Sequence, residues 1–154
     1  MKLTTKGRYA VVAMLFLERN SGIKPVTLSE ISDSEGISLS YLEQLFIKLR
    51  RKGLIKSVRG PGGGYVLAKP AAEISVAAVM LAAGEQFDFC CQGNTHKDGE
   101  RCFTHKLWDG LRNVILKYLE SVRLNQLNDP DLDISWCVCI DSTDKLSGAI
   151  KDEH

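Results

Sequence analysis

The chain has 154 residues, of which 25% are charged and 44% hydrophobic, and its net charge is +1. That is the composition of an ordinary globular domain with a core of its own. No apolar run approaches a membrane span and the start lacks the apolar stretch of a secretory leader, so a membrane role is excluded and a cytoplasmic protein is expected. The near-neutral total hides an asymmetry. Residues 1–70 carry 12 Lys and Arg against 5 Asp and Glu, a net +7, whereas residues 71–154 carry 8 against 14, a net −6. A basic first half is the electrostatic footprint of a phosphate-backbone partner, and the acidic second half is expected to dimerise, to sense, or to do both.

In chain order, residues 5–20 predict a first helix with Tyr9, Val12, Met14, Leu15 and Phe16 as apolar surface. Lys6 and Arg8 fall in its first turn, where cations oppose the helix dipole unless they face phosphates or lie in water. Thr27-Leu28-Ser29-Glu30 is a capping box that opens a second helix, and Gly36 ends it. The third helix begins within a few residues, capped by Ser38 or by Ser40, the latter with Glu43 as a second capping box. Leu42, Leu45, Phe46 and Leu49 recur at three- and four-residue steps and so share one face. Lys48, Arg50, Arg51 and Lys52 crowd the last turn, where cations suit the dipole, and Gly53 stops the helix. Helix, short turn, helix is the helix-turn-helix layout.

Leu54 to Arg59 predicts a strand, Gly60-Pro61-Gly62-Gly63-Gly64 a turn, and Tyr65-Val66-Leu67 a returning strand. A helix followed at once by a basic, glycine-tipped hairpin is the arrangement of a winged-helix DNA reader. The helix offers polar side chains to a major groove and the hairpin lays a cation in the neighbouring minor groove. A phosphate-cradling nucleotide loop is a poor alternative, because that motif needs Lys-Ser or Lys-Thr and then a helix, whereas Tyr-Val-Leu follows here.

Ser75 caps a further helix that runs to Gly84. Residues 85–103 have no periodicity. Thr104 then caps a long helix with a broad stripe of Leu107, Trp108, Leu111, Ile115, Tyr118, Leu119 and Val122. A reader of this size needs paired half-sites for sufficient DNA contact, so this stripe is expected to form a homodimer on a palindrome. After Leu127 the chain turns acidic and polar, the composition of a flexible tail. Cys90-Cys91-x4-His96-x5-Cys102-x2-His105 sets three thiols and two imidazoles within sixteen residues. In a cytosolic chain clustered Cys point to metal or redox chemistry rather than disulfides, and a thiolate–imidazole set suits an iron–sulfur cluster or zinc. The spacing lacks the paired C-x2-C of a zinc ribbon.

The motifs LTTKGRYAV, GISLSYLEQLF, VRGPGGGY and CFTHKLW together resemble those of the IscR family of bacterial iron–sulfur cluster regulators, from residue 2 to about residue 127. The resemblance implies a dimeric winged-helix transcription factor that holds a 2Fe–2S cluster, senses cluster status and controls cluster-assembly genes, its cluster-free form still regulating a second promoter class. It implies base contacts from Ser40, Tyr41 and Gln44 and a minor-groove contact from Arg59, with Ser38 also among the DNA-binding residues. Glu43 would sort the promoter classes, because a carboxylate facing a base without a donor is repelled.

The metal loop departs from the family's C-x5-C-x5-C-x2-H pattern. Cys102 and His105 match its last two ligands. Counting back puts Cys90 at the first Cys and His96 at the second, whereas the string Cys-Gln-Gly aligns Cys91 with the first. The favoured set is Cys90 or Cys91 with His96, Cys102 and His105. The alternative uses both adjacent thiols and omits His96, and Cys137 or Cys139 could also reach in. A related branch takes an acidic ligand from the start of the first helix, a route that Arg8 closes.

The expected fold is therefore mainly α with a small β-hairpin: a winged helix-turn-helix with a long C-terminal dimerisation helix. Its parts are a DNA-binding domain over 1–84, a cluster loop over 85–105, a dimerisation helix over 104–127 and a polar tail over 128–154. The expected partners are double-stranded DNA at palindromic promoter sites, a second copy of the chain, and cluster-assembly or carrier proteins as the cluster source. The protein would be a repressor or activator and not an enzyme. A winged-helix regulator with zinc or no metal is the alternative, and a thiol-redox enzyme is disfavoured because no C-x-x-C stands at a helix start.

Overall fold

Five helices and one hairpin account for most of residues 4–87, 104–129 and 131, which the computed structural model describes. The chain runs α1 (Thr5–Arg19), α2 (Leu28–Glu35), α3 (Leu39–Arg51), β1 (Ile55–Val58) and β2 (Gly64–Leu67). After a 3-10 turn at Ala71–Glu73 come α4 (Val76–Ala83), α5 (His105–Ser121) and a second 3-10 turn at Leu124–Asn128. This is the mainly helical, hairpin-bearing winged helix that the sequence predicts.

Local chemistry sets most boundaries. Thr27 and Glu30 form the reciprocal capping box of α2, the Glu30 amide donating to Thr27 Oγ1 at 3.3 Å and the Thr27 amide to Glu30 Oε2 at 2.8 Å. With Lys24 also bonded to it, first among the causes, and Thr27 next, the Glu30 carboxyl is lowered from 4.5 to about 2. Gly36 closes α2 in the left-handed region at φ 65°. At the end of α3 the Gly53 amide donates to Arg50 O at 2.9 Å and the Leu54 amide to Leu49 O at 3.1 Å, a Schellman closure that buries Leu54. Ser75 caps α4, accepting from the Ala78 amide at 3.1 Å.

The start of α3 differs from the sequence reading in a way that matters for the exposed face, while β1 is shorter than the expected Leu54–Arg59 and β2 begins one residue earlier, at Gly64. Helix α3 begins at Leu39 with Ser38 in the N-cap position but making no side-chain capping hydrogen bond, and Ser40 and Glu43 lie inside the helix, so neither serine caps it and the box between Ser40 and Glu43 does not form. The helix starts two residues earlier than that box requires, which leaves both side chains exposed and directed outward.

The core lies between α1, α3, α4 and the root of the hairpin. Leu42, Leu45, Phe46 and Leu49 face inward from α3 and meet Ala10, Ala13, Met14 and Leu17 of α1 and Val79, Ala82 and Ala83 of α4. Helix α4 is apolar nearly all round and is correspondingly buried, the pattern of a central helix. Leu124, from beyond α5, is completely buried in this same core. It is held there by a short antiparallel bridge, the Val76 amide donating to Val122 O and the Leu124 amide to Ile74 O, each at 2.9 Å. Strands β1 and β2 pair from Ile55 with Leu67 to Val58 with Gly64.

Helix α5 packs its inner side on α4, where Ile115, Leu116, Tyr118 and Leu119 cover a small cluster of Val76, Met80, Phe87 and Val122. No residue of its 17 is buried. Leu107, Leu111 and Val114 stand 63%, 39% and 50% exposed along its outer side, an apolar stripe left uncovered among the described residues. Among the described residues no helix is long and apolar enough to cross a membrane.

Candidate nucleic-acid interface

The polar face of α3 is the side opposite its buried leucines. Ser38, Ser40, Glu43 and Gln44 are all exposed there, over the first two turns, so their hydrogen-bonding groups are available to a partner. Tyr41 is half-buried and sits edge-on against Tyr9 of α1, ring centroids 5.6 Å apart and planes at 81°. Burial pushes its phenol up, with Tyr9 and Glu85 adding to the effect, which keeps the hydroxyl protonated and able to donate.

Arg59 is exposed just beyond β1, at the start of the hairpin turn. Gly60 and Gly62 adopt φ of 103° and 75°, the left-handed region in which a side chain is strained. Gly64 is required for a different reason, since a Cβ there would stand 2.5 Å from Val26 O. That close approach is a backbone bridge: the Val26 amide donates to Tyr65 O at 3.0 Å and the Tyr65 amide to Val26 O at 2.7 Å. Tyr65 also packs edge-on against Phe46 of α3, centroids 4.9 Å apart. The root of the wing is thereby anchored to α3, and Arg59 follows directly on the first strand of that anchored hairpin.

The same elements carry many exposed cations. Lys6 and Arg8 come from α1, Lys48, Arg50 and Arg51 from α3, Lys52 and Lys56 from the α3–β1 region, and Lys69 from beyond β2. Lys6, Lys48, Tyr41 and Gln44 line one shallow cleft whose floor is Leu45 and Ala83. Lys48 Nζ donates to Ala83 O at 3.4 Å, a cation on the carbonyl end of α4.

One functional support was missed by sequence reasoning. The first turn of α1 has no acidic residue of its own. Glu85, just past α4 and only 5% exposed, supplies the anion from 78 residues away: its carboxylate accepts from the Gly7 amide at 3.1 Å, the Thr4 amide at 3.2 Å and the Thr4 hydroxyl. The unfavourable placement of Lys6 and Arg8 in that turn is thus offset by a buried carboxylate on the helix terminus. Gly7 makes this possible, since a Cβ there would lie 2.7 Å from Glu85 Oε2 and 2.8 Å from Met80 Cε. The signal in the sequence was a cationic helix start without an anion.

Of the predicted metal ligands, Cys90, Cys91, His96 and Cys102 lie outside the described residues. His105 is the first residue of α5, and its Nε2 is 3.0 Å from Asp109 Oδ2, one turn on. Thr104 stands at the N-cap position, but its hydroxyl accepts from Trp108 Nε1 at 3.0 Å and caps no backbone amide. Among the described residues no three His, Cys, Asp or Glu side chains come together to hold a metal.

Comparison with known proteins agrees with this geometry. The Rrf2 family, described as iron-dependent transcriptional regulators, matches residues 3–130. The HTH-type transcriptional regulator IscR of Photorhabdus laumondii subsp. laumondii is 52% identical over 88% of this chain and 85% of its own. Its namesake in Salmonella paratyphi B is 46% identical over 99% of this chain and 95% of its own. Among solved structures, T. potens IscR is 35% identical with a TM-score of 0.69, covering 82% of this chain and 85% of its own. The global cysteine regulator CymR of B. subtilis is 31% identical with a TM-score of 0.70, covering 82% and 95%. The chain is a DNA-binding transcriptional regulator, not an enzyme, and it belongs to the Rrf2 family of iron-dependent transcriptional regulators.

Proposed function

We propose that the protein is a cytoplasmic, dimeric, sequence-specific regulator of cluster-assembly genes whose choice of DNA depends on a bound 2Fe–2S cluster. The observation that carries the DNA half of this reading is the exposed polar face of α3 beside a hairpin anchored to it, with Arg59 on the hairpin and Lys6 and Lys48 lining the cleft next to Tyr41 and Gln44. In this reading Ser38, Ser40, Tyr41 and Gln44 contact the major groove, and Gln44 suits the paired donor and acceptor of adenine. Glu43 accepts from a cytosine amino group and rejects sites that present no donor. Arg59 enters a narrow minor groove, where the negative potential is strongest. The exposed stripe of α5 supports a homodimer that sets two such surfaces on a palindrome.

For the cluster, the one described ligand candidate fits the role. A carboxylate beside His105 would fix the tautomer and orientation of the imidazole, the usual support of a metal-binding histidine. His96, Cys102 and one of Cys90 or Cys91 would complete the set, with cluster-assembly or carrier proteins as the source. A bound cluster would supply a sensing state, present or absent. A second imidazole in place of a thiolate would leave less negative charge around it and make retention depend on pH.

Anaerobic purification of the wild-type and His96→Ala proteins tests the reading through iron, sulfide and visible absorption. Brown wild-type dimer and colourless His96→Ala are expected, with the wild type preferring different duplexes with and without cluster. Full cluster occupancy in His96→Ala would make that residue a bystander. A colourless or zinc-bearing wild type would overturn cluster sensing while leaving DNA binding intact.

A further inference from the structure

The exposed side of α3 carries two side chains that a polar reading surface does not explain. Leu39, the first residue of the helix, is 45% exposed, and Ile47 is 38% exposed. Among the described residues neither packs into either apolar cluster. They lie four residues before and four residues after Glu43, so the three form one ridge along the helix, beside the Ser40–Gln44 ridge. Leu39 is flanked in sequence by exposed Ser38 and Ser40, and Ile47 stands one turn beyond Gln44. A branched aliphatic group on a groove-facing helix has one chemical partner among the base edges, the 5-methyl of thymine.

We propose that Leu39 and Ile47 are specificity-determining residues that seat thymine methyl groups on either side of the base pair facing Glu43. This rests on the reading that α3 lies in the major groove. Each contact removes a methyl and part of an aliphatic side chain from water, and the two together strip water from the carboxylate between them. A Glu43 so enclosed discriminates more sharply, because a desolvated carboxylate without a donor is costly.

The test uses the full-length protein, purified anaerobically, and the duplex it enriches from a randomised library. Each thymine of that duplex is replaced in turn by deoxyuridine, which lacks only the methyl. The wild type should lose about four-fold in affinity at one position per half-site for each reader, the factor that corresponds to burying one methyl. Leu39→Ala should erase the loss at one position and Ile47→Ala at the other. Both positions are exposed and alanine is the best helix former, so these variants keep the fold. A flat deoxyuridine profile, or a profile unchanged in both variants, overturns the proposal while sequence-specific binding stands. Enrichment of no duplex overturns the major-groove reading and the proposal with it.

Discussion

Glu85→Ala removes the carboxylate that closes the N-terminus of α1, and its cost follows from what is left behind. Two backbone amides, of Thr4 and Gly7, lose a charged acceptor, and Gly7 is buried. Hydrogen bonds to a charged group contribute about 1.5–3 kcal/mol each, and loss of a helix cap costs about 0.5–2 kcal/mol. Water can enter part of the vacated space and recover some of this. The net destabilisation should be about 2–4 kcal/mol, or roughly 5–15 °C in melting temperature. Glu85→Gln keeps the shape and one acceptor oxygen but points an amide donor at an amide donor, and should fall about midway. Urea unfolding followed by circular dichroism, at one fixed protomer concentration, measures both. Gly7→Ala probes the contact from its other side, since the added Cβ meets the same carboxylate oxygen. Its cost should therefore shrink in the Glu85→Ala background, giving a non-zero interaction energy in the double-mutant cycle. Stability of Glu85→Ala within about 0.5 kcal/mol of wild type, together with strict additivity, would refute the capping role.

Arg59→Ala should weaken binding to duplexes with a narrow minor groove by about 1–3 kcal/mol, read by titration, and affect wide-groove duplexes less. Leu107→Glu with Leu111→Glu should shift the protein from dimer to monomer in sedimentation, because both side chains lie on the exposed stripe of α5. Glu30 titrates at about 2 in the folded chain against an ordinary 4.5, so its contribution is present above pH 4.5 and lost as pH falls through about 2. Glu30→Gln should accordingly flatten the acid limb of the stability profile over that window and leave the alkaline side unchanged.

The features legible in the sequence are those written in neighbouring residues. The periodicity of Leu42, Leu45, Phe46 and Leu49 defines the buried face of α3, and the Thr27 box and Gly36 bound α2. The same periodicity implies a polar outward face, but it is the family resemblance that singles out Ser38, Ser40, Glu43 and Gln44 on it, and the structure leaves all four exposed. Ser40 misled because two serines two residues apart both satisfy a capping pattern, whereas the helix begins after Ser38 and neither side chain caps it. Glu85 was illegible for a different reason: its partners, Thr4 and Gly7, are some eighty residues distant, and no local rule links a helix start to a residue beyond α4. The return of Leu124 into the first core is of the same kind, since α5 ends at Ser121 and the chain then doubles back across Ile74 and Ser75.

The backbone bridge between Val26 and Tyr65 gives the wing a fixed fulcrum. Its root is held from one side by Val26 and from the other by Phe46, while the turn from Arg59 to Gly63 is closed by one amide, that of Gly63 donating to Gly60 O at 2.9 Å. The two ends of the same hairpin should therefore differ in hydrogen exchange. The Tyr65 amide should open only when the α1–α2 connection detaches, whereas the tip amides should exchange by local fluctuation. In the proposed mode of DNA binding this division would let the tip follow grooves of unequal width while the root holds α3 in register, so that adaptation to one half-site would not disturb the reading of bases in the next.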